Sequence, residues 1–413
     1  MQKQNIVVGL DVGTTKVATC AGSYQENGME IIGLAKTPNT GLRKGMVADI
    51  EETVSAISAV LENAERMAGI PLTSCFVGIN GSHINSINSK GVIAVSRADG
   101  EITEEDVERV IEASRAVAIP PNREILHVIP KNFTVDGQEG IKDPVGMTGI
   151  RLEVETHVIS GSTSAIKNLS KCVTQAGLDI EGIVFSPLAT AKMLLSKKQK
   201  ELGVALVDMG AGTTSIAVFE EGDIIHCGVI PVGSMHITND IAIGLRISLD
   251  AAEKIKLKFG TASSKKIRDS ENIDLSDFEK GESEKTKRKY VAEIIEARLT
   301  EIFSLVKDDL KKIGKDGMLP AGIVLTGGGA QLDGLIDFVK EYLRLPAQIG
   351  LPMLEASGMV DKLDSPVYAT SVGLMFWGLE EAPLETKGLS KLNIPNMGGV
   401  VEKTKNFFKQ FLP

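Results

Sequence analysis

The sequence predicts an α/β protein of two related lobes, with an α+β subdomain inserted into the first lobe and an amphipathic helix at the end of the chain. Three observations carry this. Asp11-Val-Gly-Thr-Thr-Lys-Val-Ala18 is echoed by Asp208-Met-Gly-Ala-Gly-Thr-Thr-Ser-Ile-Ala217. Each copy follows a short strand-like apolar run and precedes another, so the chain reads as two halves of common design. Finally, 413 residues, 43% of them hydrophobic and 24% charged, suffice for two to four packing units at about 150 residues each.

Taken in order, Ile6-Val-Val-Gly-Leu-Asp11 is too short and too β-branched for a helix, and Gly13 ends it in a turn. Alternation through Val17, Thr19 and Ala21 predicts a returning strand. The spacing of Val54, Ile57, Val60, Leu61 and Ala64 predicts a helix over 51–68, and Cys75-Phe-Val-Gly-Ile79 a buried strand. Residues 83–160 read as the insert. There Thr103-Glu-Glu-Asp106 starts a helix with acids at its positive end, Val107, Val110 and Ile111 supply its core face, and Pro120-Pro121 stops it. Leu152, Val154, Thr156 and Val158 alternate with charged or polar neighbours, as a half-buried strand does. Helices near 163–176 and 187–200 lead to a strand over 203–208. The charge-dense stretch 260–290 reads as exposed loop. Val291, Ile294, Ile295, Leu299, Ile302, Phe303 and Val306 form the apolar side of a helix over 290–312, and 383–399 reads as a flexible linker.

The expected domains are therefore a first lobe from 1–82 and 161–200, the insert 83–160, a second-lobe core from 201–235 and 311–382, and its outer subdomain 236–310. The linker 383–399 and the helix 400–413 follow.

Forty-five basic against 54 acidic residues give a net charge of -9, so attraction to polyanions must come from a local patch and a nucleic-acid binder is disfavoured. No apolar run approaches the roughly 18 to 20 residues of a membrane span. Nor does the start of the chain resemble a secretion signal. Cys20, Cys75, Cys172 and Cys227 are scattered, without a C-x-x-C pair, which argues against zinc and against a disulfide framework. The expectation is a cytosolic, reduced, multidomain protein.

A strand, a glycine turn and hydroxyls make a cradle for polyphosphate. Gly13, Gly210 and Gly212 admit close backbone approach, and successive N–H groups converge on an anion. Thr14, Thr15, Thr213 and Thr214 add hydroxyls, and Lys16 a cation. Asp11 and Asp208 would repel phosphate unless Mg²⁺ stands between, held through waters because it dehydrates reluctantly. One such loop is as well read as an ordinary hairpin; two copies in two halves favour a bound nucleotide. A third glycine turn follows the apolar run Gly322-Ile-Val-Leu-Thr326, where Gly327, Gly328 and Gly329 let a flat base or ribose pack on backbone. No Walker or Rossmann glycine pattern is present.

Together these residues resemble the actin, heat-shock chaperone and sugar kinase superfamily, whose fold places ATP between two ribonuclease-H-like halves. The resemblance makes residues 11–16 and 208–214 (with Gly210, Ala211 and Gly212) the two phosphate loops and 322–330 the adenosine loop. It implies that 186–191 and 232–240, the latter with Gly233, are connecting hinges. Ala252-Glu-Lys-Ile-Lys256 resembles the E-x-x-K helix, which gives Glu253 and Lys256 roles at ribose and base. Ala211 departs from the commoner middle glycine, and Ser215 stands where an aspartate is frequent. No residue is assigned as catalytic, so weak ATPase activity at most is expected. Within the superfamily the chain resembles the FtsA family of bacterial cell-division actin homologues, because of the insert's place in the first half and the design of the tail.

In that tail, Val400, Val401, Phe407, Phe408, Phe411 and Leu412 fall within an arc of roughly 140° on a helical wheel, with Lys403, Lys405 and Lys409 on the other side. Fourteen helical residues reach only about 21 Å, short of a bilayer core of about 30 Å, so the helix must lie flat in the interface. Burying each Phe or Leu contributes very roughly 1.5 to 3 kcal/mol, and the lysines favour anionic lipid.

The resemblance implies an ATP- and Mg²⁺-binding protein that forms filaments of itself at the cytoplasmic face of the cell membrane at the division site. It would anchor the tubulin-like protein FtsZ, gripped by its C-terminal peptide, alongside other division proteins. Lys287, Arg288 and Lys289 are the candidate contacts for that acidic peptide, against the alternative of a solvated charge run. A pilus-assembly actin homologue and a small-molecule kinase of the same fold remain as alternatives. The kinase lacks an evident general base, and neither has a use for the tail.

Overall fold

Two sheets of matching topology carry the two halves. The computed structural model describes residues 5–381 apart from 26–27, 117–118, 280–284, 353–355, 360–362 and 364. The expected linker 383–399 and amphipathic helix 400–413 lie outside the described residues. In the first half, β1 (Asn5–Val12), β2 (Lys16–Gln25) and β3 (Gly28–Pro38) form an antiparallel meander. Helix α1 (Ile50–Ala68) returns the chain to β4 (Ser74–Ile79), parallel to β1. Asp49 caps α1 by accepting from the Glu52 N–H, Gly69 ends it in left-handed backbone, and Ile57, Val60, Leu61 and Ala64 are buried.

The insert follows as β5 (Asn85–Ala94), α2 (Glu104–Arg115), β6 (Arg123–Val135), β7 (Gln138–Ile141) and β8 (Arg151–Ser162). Its antiparallel sheet has the order β5-β8-β6-β7. Thr103 and Asp106 form a reciprocal capping box at the start of α2, as their spacing predicts. Val110, Ile111, Phe133, Leu152, Val154 and Val158 build the insert's own core. Helix α3 (Thr163–Gln175) and β9 (Asp179–Phe185), parallel to β4, then extend the first sheet to β9-β4-β1-β2-β3.

The helix expected over 187–200 is two, α4 (Ser186–Leu194) and α5 (Lys197–Leu202), because Ser196 caps the second through Gln199. Strands β10 (Val204–Met209), β11 (Thr214–Glu220) and β12 (Asp223–Ile230) repeat the meander. Next come α6 (Ser234–Leu245), α7 (Leu249–Phe259) and the 25-residue α8 (Arg288–Lys312), which buries Val291, Ile295, Leu299, Ile302, Phe303 and Val306. The 260–290 stretch is not all exposed loop: Ile267, Ile273 and Leu275 are buried, because two short strands at 272–274 and 285–287 pair there. After α8, β13 (Gly322–Thr326), α9 (Leu335–Leu343) and β14 (Ala347–Ile349) complete the second sheet. Its order β12-β11-β10-β13-β14 reproduces β3-β2-β1-β4-β9 strand for strand.

Two expectations need correction. Residues 356–381, expected in the second lobe, return to the first: β15 (Ala356–Gly358) pairs in parallel with β3, and α10 (Ala369–Glu381) packs on β1. Helices α4 and α10 cross closely. A Cβ at Gly373 would lie 2.3 Å from the Ala189 carbonyl oxygen, and the Thr190 and Thr370 hydroxyls meet at 3.1 Å. Residues 232–240, expected as a hinge, instead enter α6 within the second half; among the described residues the chain returns to the first lobe after β14, at β15.

The insert touches both halves. The Phe185 N–H donates to His127 Nε2 at 2.9 Å on the first-lobe side. Towards the second lobe, Ser86 Oγ donates to the Cys227 carbonyl at 2.7 Å, and Lys142 pairs with Asp223 at the start of β12. No helix among the described residues is long and apolar enough to cross a membrane.

Candidate functional site between the lobes

The register of the two meanders defines the loops. β1 and β2 pair Asp11 with Ala18 and Val12 with Val17, leaving a tight turn in which the Gly13 N–H donates to the Lys16 carbonyl at 2.8 Å. β10 and β11 pair Asp208 with Ser215 and Met209 with Thr214. Asp11 thus corresponds to Asp208, Gly13 to Gly210, Thr14 to Ala211, Thr15 to Gly212 and Lys16 to Thr213. Matching the two Thr-Thr pairs by letter misaligns the loops by two residues. Thr214 accordingly lies inside β11, fully buried, with its hydroxyl donated to the Val232 carbonyl at 2.8 Å rather than offered to a ligand.

Each loop is braced from behind. Asn39 Nδ2 donates to the Gly13 carbonyl at 2.7 Å, and its backbone N–H to the Thr15 carbonyl at 3.0 Å. The Gly210 and Ala211 carbonyls accept from the Ser234 and Met235 N–H groups that open α6, both at 2.9 Å. A Cβ at Gly233 would stand 2.6 Å from both carbonyl oxygens, so Gly233 admits α6 to the back of the loop and does not line the cleft. The backbone amides of Thr14, Thr15, Ala211, Gly212 and Thr213 have no partner within the described chain. Such a set of amides attracts an anion.

The loops meet face to face. A Cβ at Gly212 would lie 2.6 Å from Thr14 Oγ1. The third turn closes on the second: Gly327, with φ of 85°, packs so tightly on Asp208 that a Cβ would stand 2.3 Å from Oδ1. Gly328 has nothing within 4 Å of its Cβ position, which leaves a flat backbone face open. On α7, Glu253 and Lys256 pair at 2.7 Å, and Thr238 of α6 accepts from Lys256 Nζ at 2.8 Å while donating to Glu253. Between these elements lies a cleft of about 940 Å³, at the upper end for small-molecule sites. Every residue expected at the nucleotide or metal site lines it except Thr214 and Gly233.

Charge gathers at its floor. Lys16 Nζ sits 2.8 Å from Asp11 Oδ2. Loss of water, and then the facing Asp11 carboxylate, push the Asp208 carboxyl up to about 6, with Lys16 opposing. Sequence reasoning missed Asn39 and Asn80, polar residues in or beside turns, and Thr238, a buried threonine within α6, because polarity alone carries no signal at any of the three. The basic run at the start of α8 is already engaged. Arg288 donates to the Phe259 carbonyl at 3.0 Å and pairs with Glu271 at 2.8 Å, and Lys289 pairs with Asp269 at 2.9 Å, while Lys287 is exposed.

Comparison with known proteins agrees with this architecture. The family model described as "Cell division protein FtsA" matches residues 205–373, and that for the "SHS2 domain inserted in FTSA" matches 81–160. The cell division protein FtsA of Pseudomonas aeruginosa is 40% identical over 382 residues, covering 92% of this chain and 91% of that one. That of Bacillus subtilis is 40% identical over 385 residues, covering 93% and 86%. Among solved structures, a PilM-PilN type IV pilus biogenesis complex superposes with a TM-score of 0.66 at 17% identity, over 90% of this chain and 98% of that one. MreB5 of Spiroplasma citri bound to ADP gives 0.53 at 14%, over 90% and 95%. These two share the fold alone, whereas the identity to the cell-division proteins extends across both lobes and the insert. The chain belongs to the FtsA family of cell division proteins.

Proposed function

We propose that the interlobe cleft binds ATP with Mg²⁺, and that the nucleotide-loaded protein assembles with copies of itself at the cytoplasmic face of the membrane to hold FtsZ at the division site. The observation that carries this reading is the meeting of two matching acid-tipped loops over one cleft. In it the free amides of both loops, the hydroxyls of Thr14, Thr15 and Thr213, and the Lys16 ammonium would receive the phosphates. The open face at Gly328 suits the adenosine, with Glu253, Thr238 and Lys256 at its ribose and base. Asp11 and Asp208 fit a divalent cation: two carboxylates forced together, one of them driven toward protonation, are relieved by a positive charge. Because Mg²⁺ dehydrates reluctantly, these two carboxylates would hold it mainly through water, with phosphate completing its shell. Asp11 and Asp208 would hold Mg²⁺ at the floor of the cleft, where it would supply the positive charge that offsets the triphosphate.

The 400–413 segment supplies the membrane contact, with its four aromatic and leucine side chains in the interface and its lysines at anionic headgroups. The outer subdomain, α6 to α8, is where the FtsZ peptide would dock. Because Arg288 and Lys289 are paired within that subdomain, an acidic peptide must compete for them, and Lys287 is the readier contact. Electron microscopy on anionic lipid monolayers, with and without ATP, tests the whole reading. Ordered polymers that need both lipid and ATP are expected, and Phe408→Glu or truncation before Val400 should abolish co-sedimentation with anionic liposomes. Undiminished pelleting of the truncated protein with lipid refutes the tail assignment.

A further inference from the structure

The separation of the two carboxylates depends on more than the loops that carry them. β4 lies beside β1 with Gly78 paired to Asp11, and Asn80 stands two residues further on. β11 lies beside β10 with Ser215 paired to Asp208. Across the boundary between the halves, Asn80 Nδ2 donates to Ser215 Oγ at 2.7 Å. The amide cannot be turned over, because its Oδ1 accepts from the Gly81 N–H at 2.9 Å. Ser215 is 1% exposed, so water does not compete for its hydroxyl, and Asn80 itself lines the cleft. One hydrogen bond therefore ties the strand next to Asp11 to the strand next to Asp208.

We propose that Asn80 and Ser215 form an interlobe latch that sets the spacing of Asp11 and Asp208, and thereby positions the metal-bearing end of the nucleotide. The proposal rests on the ATP reading above and adds to it a role for two residues outside the loops. Both are positioning residues: Asn80 acts through Ser215 on the strand that presents Asp208. The contacts that would receive adenosine, at Gly328 on the third turn and at Glu253 and Lys256 on α7, lie on other elements, and each phosphate loop keeps its own amides without the latch; only the cation needs Asp11 and Asp208 at a set spacing. Its loss should therefore weaken binding of ATP with Mg²⁺ more than binding of ATP alone.

The test is titration of the full chain with ATP, in Mg²⁺ and in EDTA, for the wild type, Asn80→Ala, Ser215→Ala, the double variant and Ser215→Thr. Ser215→Ala is the cleaner perturbation, since Asn80→Ala also removes the acceptor for the Gly81 N–H. Losing one net hydrogen bond should lower affinity in Mg²⁺ about three- to tenfold. Affinity in EDTA should stay within about twofold, by the same arithmetic. The double variant should be no worse than the weaker single one, and Ser215→Thr, which keeps the hydroxyl, should restore binding. Equal losses in Mg²⁺ and EDTA, multiplying losses in the double variant, or no loss at all would overturn the latch and leave the ATP reading standing. A wild-type protein that binds ATP under neither condition would overturn the ATP reading, and the latch with it.

Discussion

Replacing Gly212 by alanine tests whether the two loops act as one site. The added methyl would lie 2.6 Å from Thr14 Oγ1, 3.1 Å from Cγ2 and 3.2 Å from Cβ. Ordinary nonbonded separations are about 3.5 to 4.0 Å, so it is short by about 0.9 Å or more on Oγ1 and by a few tenths of an ångström or more on the two carbons. Rotating Thr14 relieves two of these at best, because Cβ is fixed to the backbone. Gly212 is not in the left-handed region, so alanine meets no backbone penalty and the clash is the whole effect. Overpacking of this kind costs about 1 to 3 kcal/mol unless the structure yields. Here Thr14 can rotate away from two of the contacts, and the one at its Cβ is relieved by parting the loops at the floor of the cleft. The dissociation constant for ATP in Mg²⁺ should rise roughly five- to hundredfold, by titration calorimetry, with little change in urea unfolding. Adding Thr14→Ala, which leaves only the 3.2 Å contact, should recover part of the loss relative to Thr14→Ala alone. Wild-type affinity in Gly212→Ala would refute the reasoning, since it would mean that the loops are free to separate without consequence.

Two pH effects follow from buried groups. A carboxyl raised to about 6 is protonated below that pH, and a proton on Asp208 competes with a cation, so affinity for ATP with Mg²⁺ should be full above pH 7 and about tenfold weaker at pH 5. Asp208→Asn should lack this additional dependence, and equal slopes would remove Asp208 from the site. Burial pushes His127 down to about 4, and its Nε2 accepts the Phe185 N–H, so the folded state holds it neutral. Its folded value lies below its unfolded one of 6.5, so the stability it contributes is present above pH 6.5 and lost as pH falls towards 4. Between pH 7.5 and 5 the wild type should lose about 2 kcal/mol more than His127→Gln in urea unfolding. An equal loss in the two proteins would exclude His127 as the cause.

What the sequence made legible was local. The turn at Gly13, the capping box at Thr103 and the apolar stripe of α8 each depend on residues a few positions apart, and each is where its spacing places it. Sheet partnership is not local. Nothing in Ala356-Ser-Gly358 says that it pairs with Met29-Glu-Ile31, and so the return of the chain to the first lobe was missed. The loop correspondence failed for a related reason: letters favour matching the threonines, whereas strand register places Thr214 inside β11. Charge runs mislead in their own way, because the acids that engage Arg288 and Lys289 sit on a neighbouring segment. Asn80 was unreadable because a polar residue at a strand end looks like any turn, until the second lobe brings Ser215 to it.

Duplication explains why a site lies here, and asymmetry explains how it is biased. In either half alone, the acid at the end of the central strand would face water. Facing the halves strips water from both acids, and Lys16 of the first loop, opposite only Thr213 in the second, compensates Asp11 more directly than Asp208. The unrelieved part of that cost is borne by Asp208, so positive charge arriving between the lobes would stabilise this arrangement. Closure and cation are thus linked, each favouring the other by the same free energy. The insert gives the link a longer reach. It is rooted beside Phe185 in the first lobe, yet it grips β12 of the second through Ser86 and Lys142. The lobes therefore cannot swing apart about α4 and α10 without either breaking those contacts or moving the insert. A change at the floor of the cleft must then be felt at the insert.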